Sequence, residues 1–342
     1  MFRDTVGDQT EAPNLSAMLN LSWIDKARTI WAEGPTTWWT SNIYALGPSF
    51  RYLLDLPRWV PLDFMSDHGV TFSRNAYVLE VMRNAEHPPV YLSWFEGQVK
   101  RAQAVHGGDP AIDVYGCPHP WTSMMNKFSS VKRSEDGCLA FVPHSVLGDV
   151  PDVTPMRSLV DSWTELPRWL QPTALCVSSH ELFPEALDEL ERLGLPLFTV
   201  GNPNSHLFLE RFVRLRCEFK YSTSPLLGSE AFYSTELGAR HFLYGEWSAA
   251  RYPELGVDNW RPKFRAIAQE DLELDVELWR EADSVFRETA LGWNRRVQLS
   301  DHLLGKHFRG NLEVVRGRLI DVDFASVRRC WKRLFARARE AR

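Results

Sequence analysis

From Cys138 onward the chain alternates short apolar runs with stretches whose apolar residues recur every three to four positions. The run Cys138 to Val142 (CLAFV) predicts a strand, and a helix pattern follows from about Pro155 to Leu166. Further strands are predicted over Thr173 to Val177, Pro196 to Val200, Phe219 to Thr223 and Ala239 to Tyr244. Between them lie helix patterns over Pro184 to Leu193, Asn204 to Arg216 and Leu226 to Leu237, the first and last stopped by Gly194 and Gly238. Short apolar strands separated by helices of about ten residues are how a parallel, Rossmann-like sheet reads in sequence. Each strand is buried on both faces, and each return to the sheet needs a crossover.

A less regular series precedes it, through Ser41 to Tyr44, Val60 to Met65, Val90 to Phe95 and Ala111 to Tyr115. Helix patterns near Tyr77 to Met82 and Glu96 to Val105 accompany those runs, and together they predict a second α/β unit. The polar, charged run Ser129 to Gly137 (SSVKRSEDG) sets the boundary. The expected organisation is an amino-terminal unit over 1–132, a second over 133–310 and a tail over 311–342. Two such units face to face leave a cleft between the carboxyl ends of their strands, where open sheets bind ligands.

Composition narrows the partners. The chain has 342 residues, 44% apolar and 24% charged, enough for two core-sized domains. A formal net charge of -5 opposes a broad phosphate-reading surface, so nucleic acid is not an expected partner. Five scattered cysteines, none in C-x-x-C spacing, suit reduced thiols in a cytosol and argue against zinc. Asp4, Asp8, Glu11 and Asp25 leave no room for a secretory signal, and no apolar run is long enough to span a membrane. A cytoplasmic location follows as the expectation. Fourteen tryptophans supply core packing or flat platforms for sugar rings. No Walker loop, G-x-G-x-x-G or H-E-x-x-H is present, and neither a cofactor nor a metal is expected.

Chemistry concentrates in Lys220 to Gly245, KYSTSPLLGSEAFYSTELGARHFLYG, where a strand passes through a hydroxyl-rich loop into a helix. A loop opening into a helix amino terminus traps anions, because the first-turn N–H groups lack partners and the peptide dipoles favour negative charge there. Ser222, Thr223, Ser224 and Ser229 add hydroxyl donors, unless Ser224 serves only to cap the helix. Ser229, Tyr233 and Glu236 share one helix face, a polar stripe suited to a nucleoside if it is not simply solvated. In the first unit, Met65-Ser66-Asp67-His68-Gly69 follows an apolar strand. Asp67 and His68 would then stand at a strand end facing the cleft, as catalytic groups or within an Asx-type turn. Glu96, Asp109, Asp113 and Glu181 are weaker candidates for a base. His144 and Ser145 follow the strand that opens the second unit, where an imidazole can donate to a phosphate. Asp321-Val322-Asp323 is read as a helix cap, not a metal motif.

The segment Lys220 to Gly245 resembles bacterial capsule and lipopolysaccharide assembly proteins of the glycosyltransferase type. The likeness lies in Lys220, Tyr221, Ser224, Gly228, Ser229, Phe232, Tyr233, Gly238 and Gly245. GCLAFVPHS (Gly137 to Ser145) and LPRWLQPTALCV (Leu166 to Val177) are similar to motifs of the same proteins, and Asp-His-Gly after an early strand is common among them. The resemblance implies a GT-B arrangement, two Rossmann-like domains with a nucleotide sugar held mainly by the second. It implies that His144, Ser145, Ser224, Gly228 and Ser229 hold the donor phosphate, that Tyr221 and Tyr233 flank the nucleoside, and that Asp67 assists the acceptor or attacks as nucleophile. Pro225 stands where these proteins usually carry Asn, and Tyr233 where many GT-B enzymes carry a ribose-binding Glu. The turns Pro118-His119-Pro120 and Pro143-His144-Ser145 are similar to elements of transferases that use CMP-activated acidic sugars, which adds His119 to the donor set.

The expectation is a metal-independent glycosyltransferase acting on a surface polysaccharide or lipid-linked glycan. A non-catalytic sugar-binding subunit, or a pyruvyl-type transferase on the same fold, stands as the alternative. The final segment Phe324 to Arg342 carries seven Lys or Arg and one Glu, with Phe324, Val327, Trp331, Leu334, Phe335 and Ala338 on one helical side. Such a basic amphipathic helix lies on an anionic inner-membrane face or docks on the protein body.

Overall fold

The computed structural model describes residues 43–57, 60–66, 69–70, 90–106, 112–128, 131–143, 154–178, 190–201, 203, 205, 207–245, 276–288 and 293–321, with five positions between 327 and 335. In chain order these form α1 (Leu46–Leu53), β1 (Phe64–Ser66), β2 (Val90–Ser93), α2 (Glu96–His106), β3 (Asp113–Gly116) and β4 (Cys138–Phe141). There follow α3 (Thr154–Trp163), β5 (Ala174–Cys176), β6 (Leu197–Phe198), α4 (Phe208–Cys217), β7 (Tyr221–Ser224), α5 (Ser229–Glu236) and β8 (Arg240–Leu243). Next come α6 (Val276–Arg287), α7 (Trp293–Leu303), a 3-10 turn Lys306–Asn311 and α8 (Leu312–Ile320).

Among the described residues the strands pair in parallel, in a three-stranded sheet ordered β1-β2-β3 and a five-stranded sheet ordered β6-β5-β4-β7-β8. The fold class is therefore the α/β, Rossmann-like one expected. Gly194 and Gly238 both take positive φ and turn the chain back toward the sheet.

Three predicted elements are corrected. Ser41 to Tyr44 does not end in a strand: Tyr44 and Ala45 take positive φ in a 3-10 turn that leads into α1. A four-residue apolar run does not distinguish the two by pattern alone. The strand predicted from Val60 begins only at Phe64, since Pro61 offers no N–H to a ladder and Val60 N–H turns back to Pro57 O (3.1 Å). The helix predicted from Leu226 starts at Ser229, so Leu226 and Leu227 stay in the loop. The helix predicted near Tyr77 to Met82 and most of that at Pro184 to Leu193 lie outside the described residues.

One hydrophobic cluster runs from the first sheet to the second, with Phe50, Trp94, Trp121, Phe212, Phe232 and Phe286 among its members. The carboxyl-terminal helices cross back to the first sheet. Gly305 turns at φ 68 where a Cβ would meet Trp94 O at 2.3 Å, Asn311 Nδ2 donates to Gly116 O (2.8 Å) and Arg316 Nε to Leu54 O (2.9 Å). Among the described residues no helix is long and apolar enough to cross a membrane.

Candidate functional site

In the five-stranded sheet the winding reverses between β4 and β7: β5 and β6 extend from one side of β4, and β8 from the far side of β7. The crevice outside the carboxyl ends of two such strands is where a doubly wound sheet receives ligands. β7 ends there in Ser224, and the loop Pro225 to Gly228 delivers the chain to α5, whose cap residue is Gly228. β4 ends there in Phe141; His144 and Ser145, three and four residues further on, lie outside the described residues.

The amino end of α5 already holds a carboxylate. Glu230 folds back on the loop, its carboxylate lying against Gly228 and near the N–H groups of Gly228 and of Glu230 itself. Burial raises its pKa to about 6 in spite of those N–H groups, so near neutrality a small rise in acidity discharges it. The group at the amino end of α5 in this structure is the chain's own carboxylate.

The loop is braced from beneath by His241 on β8. Its Nδ1 accepts from Ser222 Oγ (2.8 Å) and its Nε2 donates to Ser224 Oγ (3.1 Å), which in turn donates to Leu226 O (2.7 Å). Burial, reinforced by Arg216 and Arg296, holds this imidazole well below its ordinary pKa, hence neutral. Arg216 is itself fully buried and ties α4 to β8 through Phe219 O (2.6 Å) and Arg240 O (3.0 Å), while Arg296 Nη1 donates to His241 O (2.7 Å). Buried guanidinium groups with backbone partners fix the relative height of these elements.

The polar stripe of α5 faces inward. Ser229 Oγ accepts from Val70 N–H (3.0 Å), and a Cβ on Gly69 would stand 2.4 Å from that oxygen. Gly69 has φ 142, so both its conformation and the space demand glycine. The chain leaving β1 thus touches the first turn of α5. Tyr233 Oη meets His119 Nε2 (3.0 Å), with its ring 3.9 Å from that of Trp121. His119 is fully buried, which lowers its pKa to about 3; its Nδ1 accepts from Trp121 N–H (3.3 Å), so Nε2 carries the proton and donates to the tyrosine. Glu236 pairs with Lys306 (2.8 Å), which also reaches Asp301 (2.6 Å). All three stripe residues are therefore joined to the first lobe or the carboxyl-terminal segment, neither solvated nor open to a nucleoside in this arrangement.

The sequence-derived set divides accordingly. Ser224, Gly228 and Ser229 come together at the switch point, beside Gly69 and Val70 of the first lobe. Asp67 and His68 lie outside the described residues; their chain neighbours Ser66 and Gly69 are the end of β1 and the contact to Ser229. Ser222 and Thr223 are buried in the sheet, and Ser222 is committed to His241. Tyr221 stands at the amino end of β7, the end remote from the crevice, packed at 5.2 Å against Trp169, and cannot flank a nucleoside held at Ser229. His119 is withdrawn from the donor by its burial and its bond to Tyr233. Glu230 and His241 were not singled out by sequence, whereas Gly69 stood there as the glycine of the Asp-His-Gly turn. The acidic residue in the first turn of α5 was the available signal for Glu230, and nothing local marks His241.

Trp94, Trp121 and Trp163 are packed in the core, and Trp169, Trp279 and Trp293 reach the surface. A groove of about 670 Å³ opens between α6 and α7, lined by Leu278, Glu281, Arg295 and His302 among others, and is separate from the switch point. Asp113 is paired with Arg318 (2.6 Å), and Glu96 lies beside His302 and His307.

No family model matches the sequence. No curated protein matches it either. Among solved structures, 76% of the chain aligns with 53% of the pneumococcal O-GlcNAc transferase GtfA in complex with UDP and GlcNAc, at 10% identity and a TM-score of 0.37. Alignment with a mutant S. aureus TarM bound to UDP covers 84% of this chain and 53% of that one, at 9% identity and a TM-score of 0.31. Anabaena HepE in complex with UDP-glucose aligns over 79% of this chain and 75% of its own, at 11% identity and a TM-score of 0.34. The chain spans about half the length of the first two. Likeness at this level carries no information on substrate.

Proposed function

We propose that the chain is a glycosyltransferase that moves a sugar from a nucleotide-activated donor to a bacterial surface polysaccharide or lipid-linked glycan. The observation that carries this reading is the amino end of α5, which stands at the switch point of a doubly wound sheet, in contact with the loop that follows β1. The resemblance of Lys220 to Gly245 to polysaccharide-assembly transferases supports it independently.

In the proposed reaction the donor phosphate displaces the Glu230 carboxylate from the N–H groups of Gly228 and Glu230. The acceptor hydroxyl attacks the anomeric carbon, Asp67 takes its proton, and the bond from that carbon to the phosphate oxygen breaks. The nucleotide leaves carrying the negative charge that the α5 terminus stabilises. No step requires a metal. With His119 enclosed in the lobe interface, one of the two features favouring a CMP donor is gone, and CMP, UDP, GDP and TDP sugars all enter the test. The segment Phe324 to Arg342, in which Trp331 and Phe335 are exposed beside Arg328 and Lys332, holds the enzyme against an anionic membrane carrying its acceptor.

A second reading, a non-catalytic glycan-binding subunit, draws on the same Glu230: a trap filled by its own carboxylate no longer needs a donor. Product formation decides. Purified chain given nucleotide sugar and a lipid-linked acceptor is expected to release free nucleotide and glycosylated product. Asp67→Asn should abolish turnover while donor affinity stays within a few-fold. Full activity in that variant overturns the role of Asp67, and no product from any donor with any acceptor overturns the enzyme reading.

A further inference from the structure

We propose that Glu96, His302 and His307 form a binding site for a divalent cation of the zinc type. The carboxylate opens α2 and the two imidazoles flank the turn after α7. Glu96 Oε1 lies 2.9 Å from His307 Nε2, and Glu96 Oε2 lies 3.6 Å from His302 Nε2. The rings stack with centroids 5.3 Å apart and planes 18° from parallel, so both Nε2 atoms face the same carboxylate. One ligand atom from each residue falls within 4.8 Å of the other two. Zinc bonds of about 2.0–2.2 Å place tetrahedral ligand atoms roughly 3.3 Å apart, so a bound ion would draw in the wider gaps of the set and turn the stacked rings toward a common point.

The site is held by backbone contacts that owe nothing to an ion. Between the histidines, Gly305 turns at φ 68 against the carbonyl oxygens of Trp94 and Cys117, where a Cβ would come within 2.3 and 2.8 Å. Leu304 O accepts from His119 N–H (2.8 Å), and Phe308 N–H donates to Gly305 O (2.9 Å). Trp94 is two residues before Glu96, and its N–H donates to Gln98 Oε1 (2.9 Å) at the start of α2. The contact that seats the histidine turn is thus the one that positions Glu96 beneath it. Two imidazoles and one carboxylate suit zinc and its neighbours, not magnesium or calcium, which take all-oxygen sets. All three side chains reach solvent, so three protein ligands leave a coordination position for water. The bound ion would clamp the carboxyl-terminal helices to the first lobe, apart from the donor crevice.

Among the described residues the rival thiol ligands are poorly placed, since Cys117, Cys138, Cys176 and Cys217 are buried and burial raises their thiol pKa values. Full-length chain stripped with EDTA and desalted is titrated calorimetrically with zinc chloride, alongside Glu96→Gln and His307→Ala, whose exposed positions preserve the fold as checked by circular dichroism. One zinc per chain is expected, weakened by roughly tenfold or more in each variant, with a zinc-dependent rise in melting temperature that magnesium does not reproduce. The absence of saturable zinc binding overturns the proposal, as does binding unchanged in both variants, which puts the ion elsewhere. Nucleotide affinity is read separately, so either result stands apart from the transferase reading.

Discussion

Replacing Glu230 with glutamine removes the charge from the amino end of α5 while leaving an oxygen to accept from the Gly228 and Glu230 N–H groups. In the wild type, burial raises this carboxyl from the ordinary 4.5 to about 6. The folded chain therefore binds the proton more tightly than the unfolded chain. That contribution is fully present below pH 4.5 and is lost as the pH rises through 6. At about 1.4 kcal/mol per pH unit, the interval between the two values amounts to about 2 kcal/mol. Urea denaturation of both proteins at pH 4 and pH 8 reads it directly: the wild type should lose about 2 kcal/mol more than Glu230→Gln between the two conditions. The same substitution removes the competitor of a donor phosphate, and helix-terminus contacts are worth roughly 0.3–1 kcal/mol each. Nucleotide affinity at pH 8 should therefore rise a few-fold in the variant and converge with the wild type near pH 5. Parallel stability losses in the two proteins, with unchanged nucleotide affinity, would refute the placement of this carboxylate in the trap.

Gly69→Ala puts a methyl group against Ser229 Oγ at a backbone angle that disfavours any side chain, at a cost of about 1–3 kcal/mol. Its melting temperature and turnover should both fall, whereas Val70→Ala, which keeps the N–H donated to Ser229, should change turnover little. Deleting Phe324 to Arg342 should abolish sedimentation with anionic liposomes while turnover on a soluble acceptor persists; unchanged lipid binding removes the membrane contact from the account.

The second sheet was legible because β4, β5 and β6 lie in continuous apolar runs and helical periods separate its strands, two of them ending at a stop glycine. β4, β5, β7 and β8 fall within two residues of their predicted starts, but Ser222, Thr223 and Ser224, expected to make the loop hydroxyl-rich, end strand β7 instead, and the loop itself is Pro225 to Gly228. The first sheet was harder to read, since Pro61 and the turn at Tyr44 break runs that pattern alone treats as strands. What sequence could not reveal is what the α5 stripe touches. Ser229 and Val70 are 159 positions apart, and Tyr233 and His119 are 114. Spacing along one helix identifies a shared face without saying whether solvent, ligand or another lobe covers it. The Glu96, His302 and His307 cluster escaped for the same reason, its carboxylate lying some two hundred residues from its imidazoles.

The most direct test of the central claim is a calorimetric titration of the purified chain with UDP, CMP, GDP and TDP, repeated on Ser229→Asp. The account predicts one site per chain for at least one nucleotide, weakened roughly tenfold by the added carboxylate at the helix terminus. No binding of any nucleotide to the folded chain, or equal binding to both proteins, would contradict it.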